Sequence, residues 1–468
     1  MNSQSALPAE PIRFPDGFGW GTATASYQIE GAPTADGRGP SIWDTFSHTP
    51  GKIVDGTNGD RACDHYNRYL DDVELLAGLG APYYRFSLAW PRIQPDGKGK
   101  PNQKGLDFYK RLIEALRAKN IIPWVTLYHW DLPQALEDAG GWPARDTAYR
   151  LADYAGIAFA ALSDEVEHWT TLNEPICSSF LSYADGEHAP GRQEPLRAVE
   201  AAHHLLLGHG LAIDRWRHTA RDCHRFGITI NLTPVVAASE SEADRDAARR
   251  VDAITNRFFL DPVLKGEYPA DAVAQLAPLT DFSHVLDGDL ATINQPLNDF
   301  GLNYYHRDWI KAGPADADRF RPGTTHIGAA DAVVADSGLP VTARNWPVDP
   351  EGLTGVLTWL TETYQMPPIW VTENGSAWDD TIAEDGAVHD SRRIAYLDAH
   401  FRAAKKALDQ GVDLRGYFVW TSMDNFEWGY GESSRFGLVY LDFETQERTP
   451  KDSYHWYQKV VSRNGLAN

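Results

Sequence analysis

Two stretches of this chain end in a glutamate after the same kind of run. Trp169-Thr170-Thr171-Leu172-Asn173-Glu174 is β-rich until it reaches Asn-Glu and is stopped by Pro175; Ile369-Trp370-Val371-Thr372-Glu373 is followed by Asn374-Gly375. Such runs read as short buried strands, so each delivers a carboxylate at its C-terminal tip. Alone, an Asn-Glu-Pro or Glu-Asn-Gly is more often a turn. Two of them at strand tips make a pair in which one acid can protonate a leaving oxygen while the other attacks or activates water.

The elements that must position this pair alternate along the chain. Strands are expected over residues 18–25, 83–90, 121–130, 167–174, 227–236, 299–306, 369–375 and 414–425. Helical periodicity or composition fills the intervals, near residues 60–80, 103–119, 146–162, 194–221, 241–260, 350–364 and 391–409, with a final helix over 453–461. Residues 311–348 are polar and show no periodicity. Eight strands, each followed by a helix, predict an α/β chain closed into a single (β/α)8 TIM barrel spanning residues 1–468, with long βα loops forming the active-site face. Two successive doubly wound domains are the alternative, weakened because neither half opens with a glycine-rich dinucleotide loop.

In such a barrel the strand ends carry the site, and here they carry polar and aromatic residues: Gln28 after the first, Arg85, then His129 and Trp130, Asn173 and Glu174, Asn303 and Tyr305, Glu373, and Trp420 with Glu427 and Trp428 just beyond. Amides, a histidine, tryptophans and carboxylates without a basic cluster suit a neutral polyhydroxylated ligand. His203, His204 and His209 fall on one helix without an HExxH pattern, so neither metal nor cofactor is expected.

Composition agrees. The net charge of −22 argues against nucleic acid or an anionic membrane as partner. Sixteen tryptophans, 20 tyrosines and 18 phenylalanines exceed the ordinary needs of a core, and a flat aromatic face stacks on a pyranose. The cysteines, Cys63, Cys177 and Cys223, are too few for a disulfide framework and are expected to be ordinary core or helix residues. Residues 1–10 show no secretory pattern, so a cytoplasmic protein is expected.

These motifs carry a resemblance. TLNEP at 171–175 and VTENG at 371–375, with FGWGTATASYQIEG near the start, HWDLP from His129, GLNYY from Gly301 and DNFEW from Asp424, resemble glycoside hydrolase family 1, the β-glucosidase family, over nearly the whole chain. The resemblance implies a retaining mechanism with Glu373 as nucleophile and Glu174 as acid/base. It further implies that Gln28, His129, Trp130, Asn173, Asn303, Tyr305, Trp346, Trp420, Glu427 and Trp428 bind substrate, a β-glycoside or oligosaccharide. Within that set Asn173 holds the 2-hydroxyl, Trp420 is a stacking floor and Trp346 flanks the aglycone, with Asn231 on the same side. Arg85 and Tyr305 orient the nucleophile. Hydrolysis of terminal non-reducing β-D-glucosyl residues, and with it a part in cellulose degradation, is the implied activity.

Two departures bear on specificity. Ile176 stands where many members carry tryptophan, and residues 429–436 lack the lysine of phosphosugar-cleaving members. Glu427 would repel a 6-phosphate. A 6-phospho-β-glycosidase and a non-catalytic sugar-binding protein are the alternatives; the latter has no need of a charged pair that costs desolvation.

Overall fold

The computed structural model describes residues 11–467, so the segment read above for a secretory pattern lies outside the described residues. Eight parallel strands close on themselves in chain order: β1 (Gly19–Ala23), β2 (Tyr83–Ser87), β3 (Ile122–Tyr128), β4 (His168–Asn173), β5 (Arg225–Asn231), β6 (Asp299–Asn303), β7 (Ile369–Asn374) and β8 (Leu414–Trp420), with β8 pairing back onto β1. This is the expected TIM barrel, and closure removes the doubly wound alternative.

Helices cover the barrel as expected: α1 (His65–Leu79), α2 (Gln103–Ala118), α3 (Asp146–Leu162), α4 (Pro195–Arg217), α5 (Glu242–Asp252), α6 (Pro350–Thr363), α7 (Ser391–Asp409) and α8 (Asp452–Arg463). Local chemistry sets their ends. Gly80 stops α1 in the left-handed region at φ 75°, and Asp349 caps α6 by accepting from the Gly352 N–H, with Pro350 at the first helical position. The α5 helix runs on through a π-helical turn, Ala253–Arg257, into Phe258–Leu264.

The floor of the barrel is aromatic. Trp370 lies 5.0 Å from Trp124, 5.4 Å from Tyr83 and 6.1 Å from Phe418, ring to ring. Gly19 and Gly416 give Trp370 its space, since a Cβ on either would fall 2.3 Å from the indole. Most of the surplus tryptophan goes to such packing: Trp20, Trp43, Trp90, Trp124, Trp142, Trp169 and Trp216 are fully buried.

Three expectations change. The strand expected over 227–236 divides, because Pro234 has no N–H to continue a ladder; Val235–Ala237 leaves the barrel. It joins Asp308–Lys311 and Val333–Ala335 in a three-stranded sheet, so part of the segment expected to lack structure is strand, too short for any periodicity to reveal. The strand expected over 414–425 ends at Trp420. Among the described residues no helix is long and apolar enough to cross a membrane.

Candidate active site

Both carboxylates sit where their strands lose regular register. Thr170 faces inward, its hydroxyl accepting from Trp124 Nε1, and Asn173 faces inward three residues later, an odd interval that strict alternation forbids; the β4–β5 register slips between them. On β7, Trp370 and Thr372 face the interior in proper alternation, and Glu373 follows directly into the same space. There the register shifts against both neighbours after Val371. Gly375, read from sequence as a strand stop, is where β8 comes closest: a Cβ would fall 1.8 Å from the Trp420 carbonyl oxygen. Glu174, Trp130 and Trp428 all adopt positive φ, at 49°, 81° and 47°. Such conformations cost about 1–3 kcal/mol each and persist where the surroundings enforce them.

Arg85, fully buried, donates from one nitrogen to Glu373 Oε1 at 2.7 Å and from the other to Asn173 Oδ1 at 2.6 Å. The Tyr305 hydroxyl donates to Glu373 Oε2 at 2.9 Å. Asn303 Nδ2 donates to Glu174 Oε1 at 2.6 Å and to Asn173 Oδ1 at 3.1 Å, and the Cys177 thiol donates to Glu174 Oε2 at 3.1 Å. Asn173 Nδ2 meets His129 Nε2 at 2.9 Å. The two glutamates therefore belong to one hydrogen-bonded chain.

Their environments differ. Burial, then the charge of Glu373, raises Glu174 to about 8, against the pull of Asn303, Cys177 and Arg85. Burial also raises Glu373, but Arg85 and Tyr305 oppose it directly, so the proton of the pair stays on Glu174. Burial raises Glu427 to about 8 as well, with Arg344 opposing.

The family model of glycosyl hydrolase family 1 matches residues 10–466. The chain belongs to this family. It is a glycoside hydrolase, acting on O-glycosyl bonds. It is 50% identical to the thermostable beta-glucosidase B of Thermobispora bispora over 98% of its own length and 93% of that protein. It is 45% identical to the 1,4-beta-D-glucan glucohydrolase of Thermotoga neapolitana, over 97% of the chain and all of that protein. The beta-glucosidase from Thermotoga maritima in complex with glucoimidazole superposes with a TM-score of 0.91 at 45% identity, covering 97% of this chain and all of that one.

In this hydrolase the cleft is a cavity of about 530 Å³ that Glu174 and Glu373 both line. His129, Trp130, Asn303, Tyr305, Trp346, Trp420, Glu427 and Trp428 join them, as does Asn231. The rings are close: Trp130 lies 4.4 Å from Trp428, and Trp346 lies 5.2 Å from Tyr305. Gln28, Arg85 and Asn173 are buried around it, and Gln28 Nε2 donates to Glu427 Oε2 at 3.1 Å as well as to Asn425 and Phe426.

Sequence reasoning missed several neighbours. Cys177 is the buried core or helix residue expected, at the start of the helical segment Cys177–Asp185, but it also lines the cleft with its thiol against Glu174, which the sequence did not reveal. Glu187, His188 and Arg344 also line the cleft, from loops without periodicity, and Tyr430 does so from the short helical turn Trp428–Ser433. Cys223 lies exposed in a turn, outside core and helix. The α4 histidines have structural partners: His203 meets Asp289 and Tyr268, His204 the Trp142 carbonyl, and His209 the Thr171 hydroxyl.

Proposed function

We propose that this hydrolase is a retaining, exo-acting β-glucosidase, with Glu373 as nucleophile and Glu174 as general acid/base. The observation that carries the reading is the unequal treatment of the two carboxylates. Arg85 and Tyr305 hold Glu373 as an anion, while the charge of Glu373 and burial keep Glu174 protonated. In the first step a Glu373 oxygen attacks the anomeric carbon as Glu174 gives its proton to the departing oxygen. The resulting ester no longer carries the Glu373 charge, so Glu174 becomes easier to ionise. It then takes a proton from water as that water attacks the anomeric carbon and releases Glu373.

The glycone is held by Gln28, His129, Asn173, Asn303, Tyr305, Glu427 and Trp428 over the Trp420 face, with Trp130 beside them and Trp346 and Asn231 toward the leaving group. The printed activities of the Thermobispora bispora and Thermotoga neapolitana relatives support terminal β-glucosyl residues as substrate, and the latter supports a part in cellulose degradation. The Thermotoga maritima complex supports a sugar-sized ligand. Burial of Glu427 among groups that suit hydroxyls speaks against a 6-phosphosugar. The core running from Phe14 to Leu466 supports one catalytic domain, and the free Cys63 and Cys177 thiols support a cytoplasmic setting.

The test is an aryl β-glucoside assay of wild type and Glu373→Ala, with the anomer first released followed by NMR. The variant should lose about 10⁴-fold or more in kcat, and wild type should release the β-anomer first. An active variant or an α-anomer would refute the assignment.

A further inference from the structure

The hydrogen-bonded chain between the glutamates has a direction. A guanidinium has donors only, so the Asn173 atom facing Arg85 is its oxygen. That oxygen also meets the Asn303 amide, which must therefore present its Nδ2. Thr372 Oγ1 donates at 2.8 Å to the opposite end, Asn303 Oδ1. The same Nδ2 reaches Glu174 Oε1 at 2.6 Å. Arg85 thus dictates, through two amides, that Glu174 Oε1 receives a hydrogen bond. In a carboxylic acid the carbonyl oxygen is the good acceptor and the hydroxyl oxygen a poor one, so the proton belongs on the other oxygen. Among the described residues, that oxygen has a single protein partner, the thiol of Cys177 at 3.1 Å.

We infer that the acid proton of Glu174 rides on Oε2, placed there by the Arg85–Asn173–Asn303 chain, and that Cys177 is the positioning residue of that oxygen. This rests on the acid/base reading of Glu174. In the first step Oε2–H points to the glycosidic oxygen and gives up its proton. In the second step Oε2 is an anion and the S–H holds it in place. The incoming water passes its proton to that oxygen, its own oxygen bonds the anomeric carbon, and the bond to Glu373 breaks. Cys177 keeps its proton throughout, because burial and the adjacent Glu174 charge push its thiol well above the ordinary range.

Several titratable groups face this oxygen's surroundings: Glu373 on β7, Arg85 on β2, His129 after β3, Tyr305 after β6, Glu427 after β8 and Glu187 in the loop beyond Cys177. Changing residue 177 alters none of them. A donor to Oε2 favours the ionised acid, so the strength of that donor sets where activity falls in alkali.

The experiment is the alkaline limb of kcat/KM on an aryl β-glucoside for Cys177→Ser, Cys177→Ala and Cys177→Val. The hydroxyl of serine is the stronger donor and should move the limb down by about half a pH unit or more, whereas the donorless alanine should move it up by a similar amount. Valine fills the space without a donor and should behave as alanine does, should the smaller side chain disturb folding. Opposite shifts support the inference; a fixed limb, or a shift of one sign in all variants, overturns it. Azide acceleration of Glu174→Ala separates the two levels: rescue with a fixed limb sinks only the role of Cys177, and absence of rescue sinks the acid/base reading with it.

Discussion

The protein buries acids in two places and treats them in opposite ways. Around the barrel mouth, Glu174 and Glu373 share one fully buried cation, Arg85, and Glu427 has Arg344 as the cation opposing its burial. Beside the barrel, under the loop that follows β8, six charges alternate in a chain. Asp390 meets Arg393 at 2.5 Å, Arg393 meets Asp380 at 2.7 Å, and Asp380 meets Lys451 at 2.6 Å. Lys451 then meets Asp424 at 2.8 Å, and Asp424 meets Arg435 at 2.8 Å. Burial alone would raise Asp424, yet Lys451, Arg435 and Arg393 hold it below the usual carboxylate range. At the mouth, burial wins and all three glutamates rise. Burial is common to both places; charge balance is what separates a scaffold from a site that can keep a proton near neutral pH. The scaffold also serves the site, since Asp424 begins the Asn425-Phe426-Glu427 turn that Gln28 grips.

Removing a member of each cluster should have opposite signatures. Glu174→Ala should cost about 10²–10⁴-fold in rate on substrates with poor leaving groups, spare the first step for good ones, and gain rate from added azide while melting near the wild-type temperature. Lys451→Met strands Asp380 and Asp424 without their shared cation, and breaking a buried pair in this way costs about 3–5 kcal/mol. Its urea midpoint should fall accordingly, with kcat on the folded enzyme little changed. If Lys451→Met instead shifted the pH profile as strongly as it lowered stability, the two clusters would be one electrostatic unit.

The sequence revealed these regions unevenly. The strand carrying Glu373 was legible because a strand buried on both faces is apolar and β-branched until it meets the polar cleft, and the same held for Glu174. The end of the helix expected over 60–80 was legible, because a glycine there supplies the left-handed stop. The register slips before Asn173 and after Val371, which aim both acids inward, were not, since a bulge depends on the neighbouring strands and leaves no local pattern. Cys177 was legible as a small buried side chain but not as a neighbour of Glu174, since nothing in the local pattern tells that an acid faces the thiol. The alternating chain from Asp380 to Lys451 was invisible for a related reason: its pairs join α7, the loop after β8 and the start of α8, and no spacing within one element encodes them.

The mildest test acts on the site's electrostatics without destroying it. Glu174 must be protonated to act as acid, so kcat/KM should hold its plateau toward pH 8 and fall about tenfold per unit above it, as the raised group finally ionises. A protein with an ordinary glutamate there would already be failing below pH 6. Glu427 is raised to about 8 too, so its ionisation could produce the same limb. Glu427→Gln separates the two. It removes that titration while leaving Glu174, Glu373 and Arg85 in place, and loss of a nearby carboxylate should move the surviving limb slightly down, because the like charges of Glu174 and Glu427 each raise the other. Disappearance of the limb in Glu427→Gln would transfer the alkaline control from the catalytic pair to the sugar-binding acid, and the contrast between the mouth and the balanced chain would then rest on Glu427.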